Sequence, residues 1–600
     1  MKKITPFICF LFIAPLVYGQ TSTELEPLLQ NVYGRNVQRL NGYWNYIIDP
    51  LESGYYDYRH QPAADGFFKD VKKDSLDNNL REYDFDASPV MAIPGDWNTQ
   101  NRDLFYYEGT VWFRQKFQYQ PSDKRTFLYF GAVNYDAKVY VNGKKVGEHY
   151  GGFTPFNFDV TDKLMAGENV VIVKVDNKRS TTAVPTDNFD WFNYGGITRD
   201  VLLVEVPKTY IQTYKVQLKK GSEKIIKVSV KLNVSTAGIP VTIAIPELKL
   251  SKIISTNIEG VATWEGKESP KLWSPKNPKL YKVIVSTYSD KVTDEIGFRQ
   301  ISARGNKVLL NGKSIFLKGV SIHEEAAFRS GRIFSADEAR ILLAWAKDLG
   351  CNYVRLAHYP HNEQMVREAE KMGLMVWDEI PLYWTIHWDK LETYTNAMNQ
   401  LDEMMERDQN RAGVIIWSLA NETPVSEARN LFLGALARMV REKDDTRLIS
   451  MAMERKDKSK EVLSVNDDMS KHVDIISFNQ YVGWYDGPKD KLDQVKWEID
   501  YDKPIIISEF GGGALAGRHG GDNDLWSEEY QADLYRKTLK MIDERTPTLV
   551  GISPWVLKDF RSPRRLLPQI QDGFNRKGLI SDRGERKQAF FILQEWYKKK

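Results

Sequence analysis

Cysteine is nearly absent: two residues in 600, Cys9 and Cys351. Cys9 lies in a leader-like N-terminus, so a processed chain keeps only Cys351 and forms no internal disulfide. Such a chain is held by its cores. Neither sign of charge dominates, since 83 Lys and Arg stand against 80 Asp and Glu, a formal net charge of +3. That balance gives no footprint for nucleic acid or an anionic membrane surface. No apolar run beyond the first twenty residues is long enough to span a bilayer. No glycine-rich phosphate loop follows the first strand of the C-terminal half. HExxH is missing, as is any Cys/His pair at zinc spacing, so neither a metal nor another cofactor is expected.

What the chain has begins with a secretory pattern. Lys2 and Lys3 precede an apolar run from Phe7 to Val17, then Tyr18-Gly19-Gln20. This predicts a signal peptide over 1–19, cleaved near Gly19 or Gln20, and a periplasmic or secreted product. Six hundred residues exceed one core, so several domains are expected. Sixteen Trp and thirty Tyr suit β-rich cores or carbohydrate stacking.

Over 20–206 the chain reads as short alternating strands, among them TVWFRQKFQY, RTFLYFGAV, ENVVIVKVDN and RDVLLVEV, with Asn142-Gly143 as a tight hairpin turn. A jelly-roll β-sandwich is predicted. Over 207–298 further strands continue with little helix, which fits an immunoglobulin-like β-sandwich on strand count alone. From 299 to 600 strands alternate with helical stretches such as ADEARILLAWAKDLG. Eight strand candidates, SIFLKGVSI, NYVRLA, LMVWDEI, VIIWSLAN, RLISMAM, VDIISFNQ, PIIISEF and LVGISPWVL, describe a (β/α)8 TIM barrel of eight strand–helix units.

Two of these strands end on a glutamate, Glu422 after VIIWSLAN and Glu509 within PIIISEF. An unpaired carboxylate is costly inside a doubly buried strand and belongs at its carboxyl end, where barrels open onto their sites. The other strand ends add His323, Arg355, His358, Asn421, Asn479, Tyr481 and Trp555. The pair suits glycoside hydrolysis, with Glu422 as the protonated acid and Glu509 as the ionised nucleophile near Arg355 and Tyr481. Capping of a following helix is the plainer reading of either glutamate alone.

The domain order together with WSLANE and SEFGGG resembles glycoside hydrolase family 2 over essentially the whole processed chain. The resemblance implies a retaining, exo-acting enzyme with Glu422 as acid/base and Glu509 as nucleophile. FNQYVGWY is similar to a family segment bearing Asn479, Tyr481 and Tyr485, and NFDWFNYGG to a sandwich loop that sends Asp190 into the sugar site. Asn575-Arg576-Lys577-Gly578 resembles the N-x-K-G motif of the β-glucuronide-cleaving members. There Asn575 and Lys577 would hold the sugar carboxylate by charge-assisted hydrogen bonds. Where several relatives place an arginine four residues before that Asn, this chain has Gln571. The implied partner is a uronic-acid-terminated glycan or glycoconjugate, with a homo-oligomer in keeping with the family. β-Galacturonide or β-galactoside hydrolysis, and a carbohydrate-binding protein without catalysis, remain the alternatives.

Overall fold

The computed structural model describes residues 27–62, 84–459, 461–545 and 549–600. The signal-peptide expectation, 1–19, lies outside the described residues. Among those described, no helix is long and apolar enough to cross a membrane.

The N-terminal sandwich packs a six-stranded antiparallel sheet on a four-stranded one. TVWFRQKFQY is one strand, Thr110–Tyr119, at the middle of the larger sheet, paired with Gly42–Ile48 and Gly167–Asp176. Its inward residues meet those of the opposite sheet in a core that includes Trp44, Phe113, Leu128, Phe130 and Val173. The predicted hairpin forms at Asn142 and Gly143, both at positive φ (50° and 77°), the geometry a two-residue turn of matching twist requires. Seven strands follow, three in one sheet and four in the other. They enclose Val216, Val228, Ile243, Val283 and Ile296, as an immunoglobulin-like sandwich does. Trp273, in the proline-stiffened LWSP connection, is fully buried and donates its indole N–H to Glu370 O at 3.0 Å.

The C-terminal half closes into a parallel barrel. Its strands are β1 (Leu317–Lys318 and Ser321–Ile322), β2 (Tyr353–Leu356), β3 (Met375–Glu379) and β4 (Val414–Asn421), then β5 (Leu448–Met453), β6 (Ile476–Asn479), β7 (Ile505–Glu509) and β8 (Leu549–Ile552). The first piece of β1 pairs with β8 and the second with β2, which completes the ring. The break falls at Gly319, where a Cβ would lie 2.0 Å from the Tyr353 ring. Eight full strand–helix units do not form. Among the described residues, the connections after β5 and β6 hold no α-helix: they carry the 3-10 turns Asp468–Lys471 and Lys489–Asp493 and a pair of short parallel strands, Val462–Ser464 and Lys496–Glu498. Both segments lack an apolar 3.6-residue period, and the second is interrupted by Gly483, Gly487 and Pro488.

Glu324, at the end of β1, points away from the barrel mouth and pairs with Arg199 of the first sandwich at 3.1 Å, both side chains buried. Arg199 also donates to Phe153 O and Pro360 O, joining the two domains. Arg199→Ala removes the nearer cation of a buried carboxylate, leaving Arg332 at 4.0 Å, and should lower stability by about 3–5 kcal/mol. Urea denaturation checks this, and an unchanged midpoint would show the pair to be dispensable.

Candidate active site

Arg355 on β2 is the hub. It is fully buried at the centre of the mouth. Nη1 donates to Glu509 Oε1 at 2.7 Å, and Nη2 donates to Glu379 Oε1 at 3.0 Å and to Asn421 Oδ1 at 2.8 Å. Burial opposes its charge, but the carboxylates of Glu379 and Glu509 outweigh burial and raise its pKa. Successive strand residues face opposite ways, so Glu379 turns inward while Asp378 turns out toward Asp408. Glu379 also accepts from Trp377 Nε1 and Ser418 Oγ, at 2.8 and 2.7 Å. Burial works against ionisation there, yet Arg355 and His358 bring Glu379 down to about 2. It is a permanent anion that fixes the arginine.

Glu509, at the end of β7, is thus held on two sides: Arg355 on Oε1, and the Tyr481 hydroxyl donating to Oε2 at 2.7 Å. His358 lies between the acids, with Nδ1 2.8 Å from Glu379 Oε1 and Nε2 3.7 Å from Glu509 Oε1. Its ring stacks on Trp555 with centroids 4.8 Å apart. His323 stands one layer back. It touches Tyr359, Trp555 and Phe560 and neither Glu422 nor Glu509, and burial, with His358 and His361 beside it, pushes its pKa well below the ordinary value.

Glu422 follows the last residue of β4 at positive φ, 49°, a strained conformation that lifts its side chain into the cleft. There the Trp384 indole N–H donates to Oε2 at 2.9 Å, and the Asn479 side chain is hydrogen-bonded to the same carboxyl. Asn421 faces inward to Arg355, because the strand alternates. Loss of water in the cleft, then the neighbouring Glu509 charge, push Glu422 up to about 7. Asn479 is oriented by Ser508, which donates to its Oδ1 at 2.7 Å, and its Nδ2 reaches Asn421 Oδ1 at 3.2 Å. Among the described residues, the Asn421 Nδ2 is left buried and without a partner. A buried amide donor with nothing to donate to is suited to a ligand oxygen.

A second cluster closes the far side. After β8 the chain makes a hairpin, Phe560–Arg561 paired with Phe574–Asn575. It brings Asn575 and Lys577 to the barrel mouth, both buried. Lys577 N donates to Asn575 Oδ1 at 3.2 Å, and among the described residues Asn575 Nδ2 has no partner. Lys577 Nζ donates to the Tyr485 hydroxyl at 2.7 Å and lies over the Tyr485, Tyr481 and Trp484 rings. Among the described residues it pairs with no carboxylate, and burial lowers its pKa, as Arg565 does. Arg576, between them, is spent on Asp559 and Asp582. Asp190 does reach this cluster from the first sandwich. It is buried, bonded to Arg565 and accepting from Ser562 Oγ at 2.6 Å, while Arg565 Nη1 reaches the Tyr485 hydroxyl at 3.2 Å. Gln571 accepts from Leu567 N within its own loop at 3.3 Å.

The structure therefore brings together Glu422, Glu509, Asn421, Asn479, Tyr481, Arg355, His358 and Trp555, with Asp190, Tyr485, Asn575 and Lys577 beside them. Sequence reasoning missed Trp384 and gave Glu379 no function. Trp384, in the polar-flanked PLYWTIHWDK, was open to detection as an aromatic just past β3. The site opens into a cleft of about 470 Å3 in front of Glu422.

Models of the glycosyl hydrolases family 2 match almost all of the described chain: the sugar binding domain at 37–207, a second domain at 209–299 and the TIM barrel domain at 301–599. A putative β-glucuronidase of Formosa agariphila is 28% identical, covering 94% of this chain and 74% of its own. The human β-glucuronidase is 27% identical over 98% of this chain and 94% of its own. A solved β-glucuronidase from an uncultured Clostridium superposes with a TM-score of 0.78 at 27% identity, covering 96% of this chain and all of that one.

Proposed function

The chain belongs to glycoside hydrolase family 2, and from that premise we propose that it hydrolyses terminal β-D-glucuronides, retaining configuration through a covalent glycosyl-enzyme. Glu509, anchored by Arg355 and Tyr481, attacks the anomeric carbon. Glu422 protonates the departing oxygen, then takes a proton from water as the glycosyl-enzyme is hydrolysed. The Asn421 amide receives a sugar hydroxyl. The Asn575 amide and the Lys577 ammonium receive the carboxylate, with Arg565 and Asp190 as the adjoining wall.

One observation carries the substrate assignment. Among the described residues, Lys577 is a buried cation with no acid to pair with, beside the unpartnered donor of Asn575. A uronate supplies the missing charge, whereas a neutral hexose leaves the lysine uncompensated. Hydrolysis of matched aryl β-glucuronide, β-galacturonide and β-galactoside tests it. The glucuronide should be preferred. Preference for the galacturonide would keep the carboxylate clamp and change the sugar, and preference for the galactoside would refute the clamp.

The acid must be protonated, so kcat/KM should fall as pH rises through about 7, where Glu422 titrates. The Trp384 N–H stabilises the ionised form. Trp384→Phe should therefore move that alkaline limb to higher pH, and a limb that stays put or falls would remove Trp384 from this role. Export through the 1–19 leader belongs to the same reading, and N-terminal sequencing of the mature protein would locate the cleavage site.

A further inference from the structure

The leaving-group side of the site holds a cation that the chemistry above does not use. The cleft in front of Glu422 is lined by Asn188, Trp384, Thr385 and Arg455, among others. Trp384 forms a wall, its ring fixed beside the acid by the bond to Glu422 and by a backbone at φ 55°. Over the face of that ring, 5.3 Å from its centroid, lies the guanidinium of Arg564. Arg564 Nη1 donates to Asn188 Oδ1 at 2.7 Å, and Asn188 Nδ2 donates to Thr385 Oγ1 at 3.3 Å, so the amide is set to receive it.

The neighbouring arginines face elsewhere. Arg565 is bonded to Asp190, and Arg561, partly buried, lies over Phe105 and Phe574 and reaches Ser330 Oγ at 3.4 Å. Arg455, on the cleft itself, is neutralised by Asp486 and Asp457 at 2.8 and 2.7 Å. Arg564 differs. Its side chain is exposed, and among the described residues its polar partner is an uncharged amide. A guanidinium already positioned by a ring and an amide loses little further freedom when it takes two oxygens side by side, as a carboxylate or a sulfate presents them.

We propose that the cleft is a leaving-group subsite for an acidic saccharide, a sugar ring against Trp384 whose anionic substituent pairs with Arg564. This rests on the uronide-hydrolase reading and specifies the other side of the scissile bond. It makes the substrate an acidic glycan chain end rather than a neutral small conjugate.

The test compares three β-glucuronosyl disaccharides, whose leaving sugar bears a carboxylate, a sulfate ester or neither. The purified mature protein should favour an acidic leaving sugar over the neutral one about tenfold in kcat/KM, mostly through KM, and less so at high salt. Whichever anion is preferred identifies the substituent. In Arg564→Ala the acidic-to-neutral ratio should fall to about one, and Arg564→Lys should restore part of it. Glu454→Gln, which removes an acid lining the same cleft, should raise the ratio. A wild-type ratio near one, or a ratio that survives Arg564→Ala, overturns the subsite while leaving the glucuronidase reading in place. Failure to cleave any β-glucuronide overturns both, and the neutral disaccharide tells the two failures apart.

Discussion

Glu509→Gln should reduce turnover of an aryl β-glucuronide by roughly 10^4-fold or more, because no covalent intermediate can form. Binding should survive. The Gln carbonyl still accepts from Arg355, and the Asn421, Asn575 and Lys577 contacts are untouched. Glu422→Gln should behave differently. An activated aryl group departs without a proton, so the first step persists, while hydrolysis of the glycosyl-enzyme loses its base. Added azide separates the two roles by stereochemistry. It should intercept the glycosyl-enzyme of the Glu422 variant to give a β-azide, and attack the substrate directly in the Glu509 variant to give an α-azide. The same anomer from both variants, or a Glu509→Gln enzyme within tenfold of wild type, would mean that the assignment of nucleophile and acid is wrong.

Lys577→Ala should lower kcat/KM for the glucuronide by about 10^2–10^3-fold, the weight of a charge-assisted bond in a water-poor site together with a substrate anion left unpaired. The matched neutral glucoside makes no such bond, so its hydrolysis should change little, and the ratio of the two substrates is the measured quantity. Equal losses on both would show Lys577 to be part of the packing around Tyr481, Tyr485 and Trp484 and no reader of charge.

The carboxylate pair was legible because strand-end position depends on local pattern. VIIWSLAN and PIIISEF are buried runs whose first acid comes at the carboxyl end, and the fold carries both to one mouth. The uronate cluster was legible only through the motif at Asn575 and Lys577, since nothing local distinguishes Lys577 from the charged residues that follow it. What could not be read is pairing across distance. Trp384 bonds Glu422 from 38 residues away, and Arg565 meets Asp190 from 375. Such partners depend on loop paths that periodicity does not encode. The same limit explains Glu324. It ends a strand as the catalytic acids do, yet Arg199 holds it in a domain interface. It also explains the missing crossover helices, where glycine and proline were visible but the barrel count favoured regularity.

The divided first strand has a consequence for synthesis. Its two pieces clasp β2 and β8, so the ring stays open until residues 549–552 have left the ribosome. Asn575 and Lys577 come later still, within the last twenty-six positions of the chain. A nascent or truncated polypeptide that stops short carries the acids of β4 and β7 beside two unpaired sheet edges, the kind of edge that recruits other chains. Activity should therefore be absent from C-terminal truncations, which should aggregate rather than work slowly.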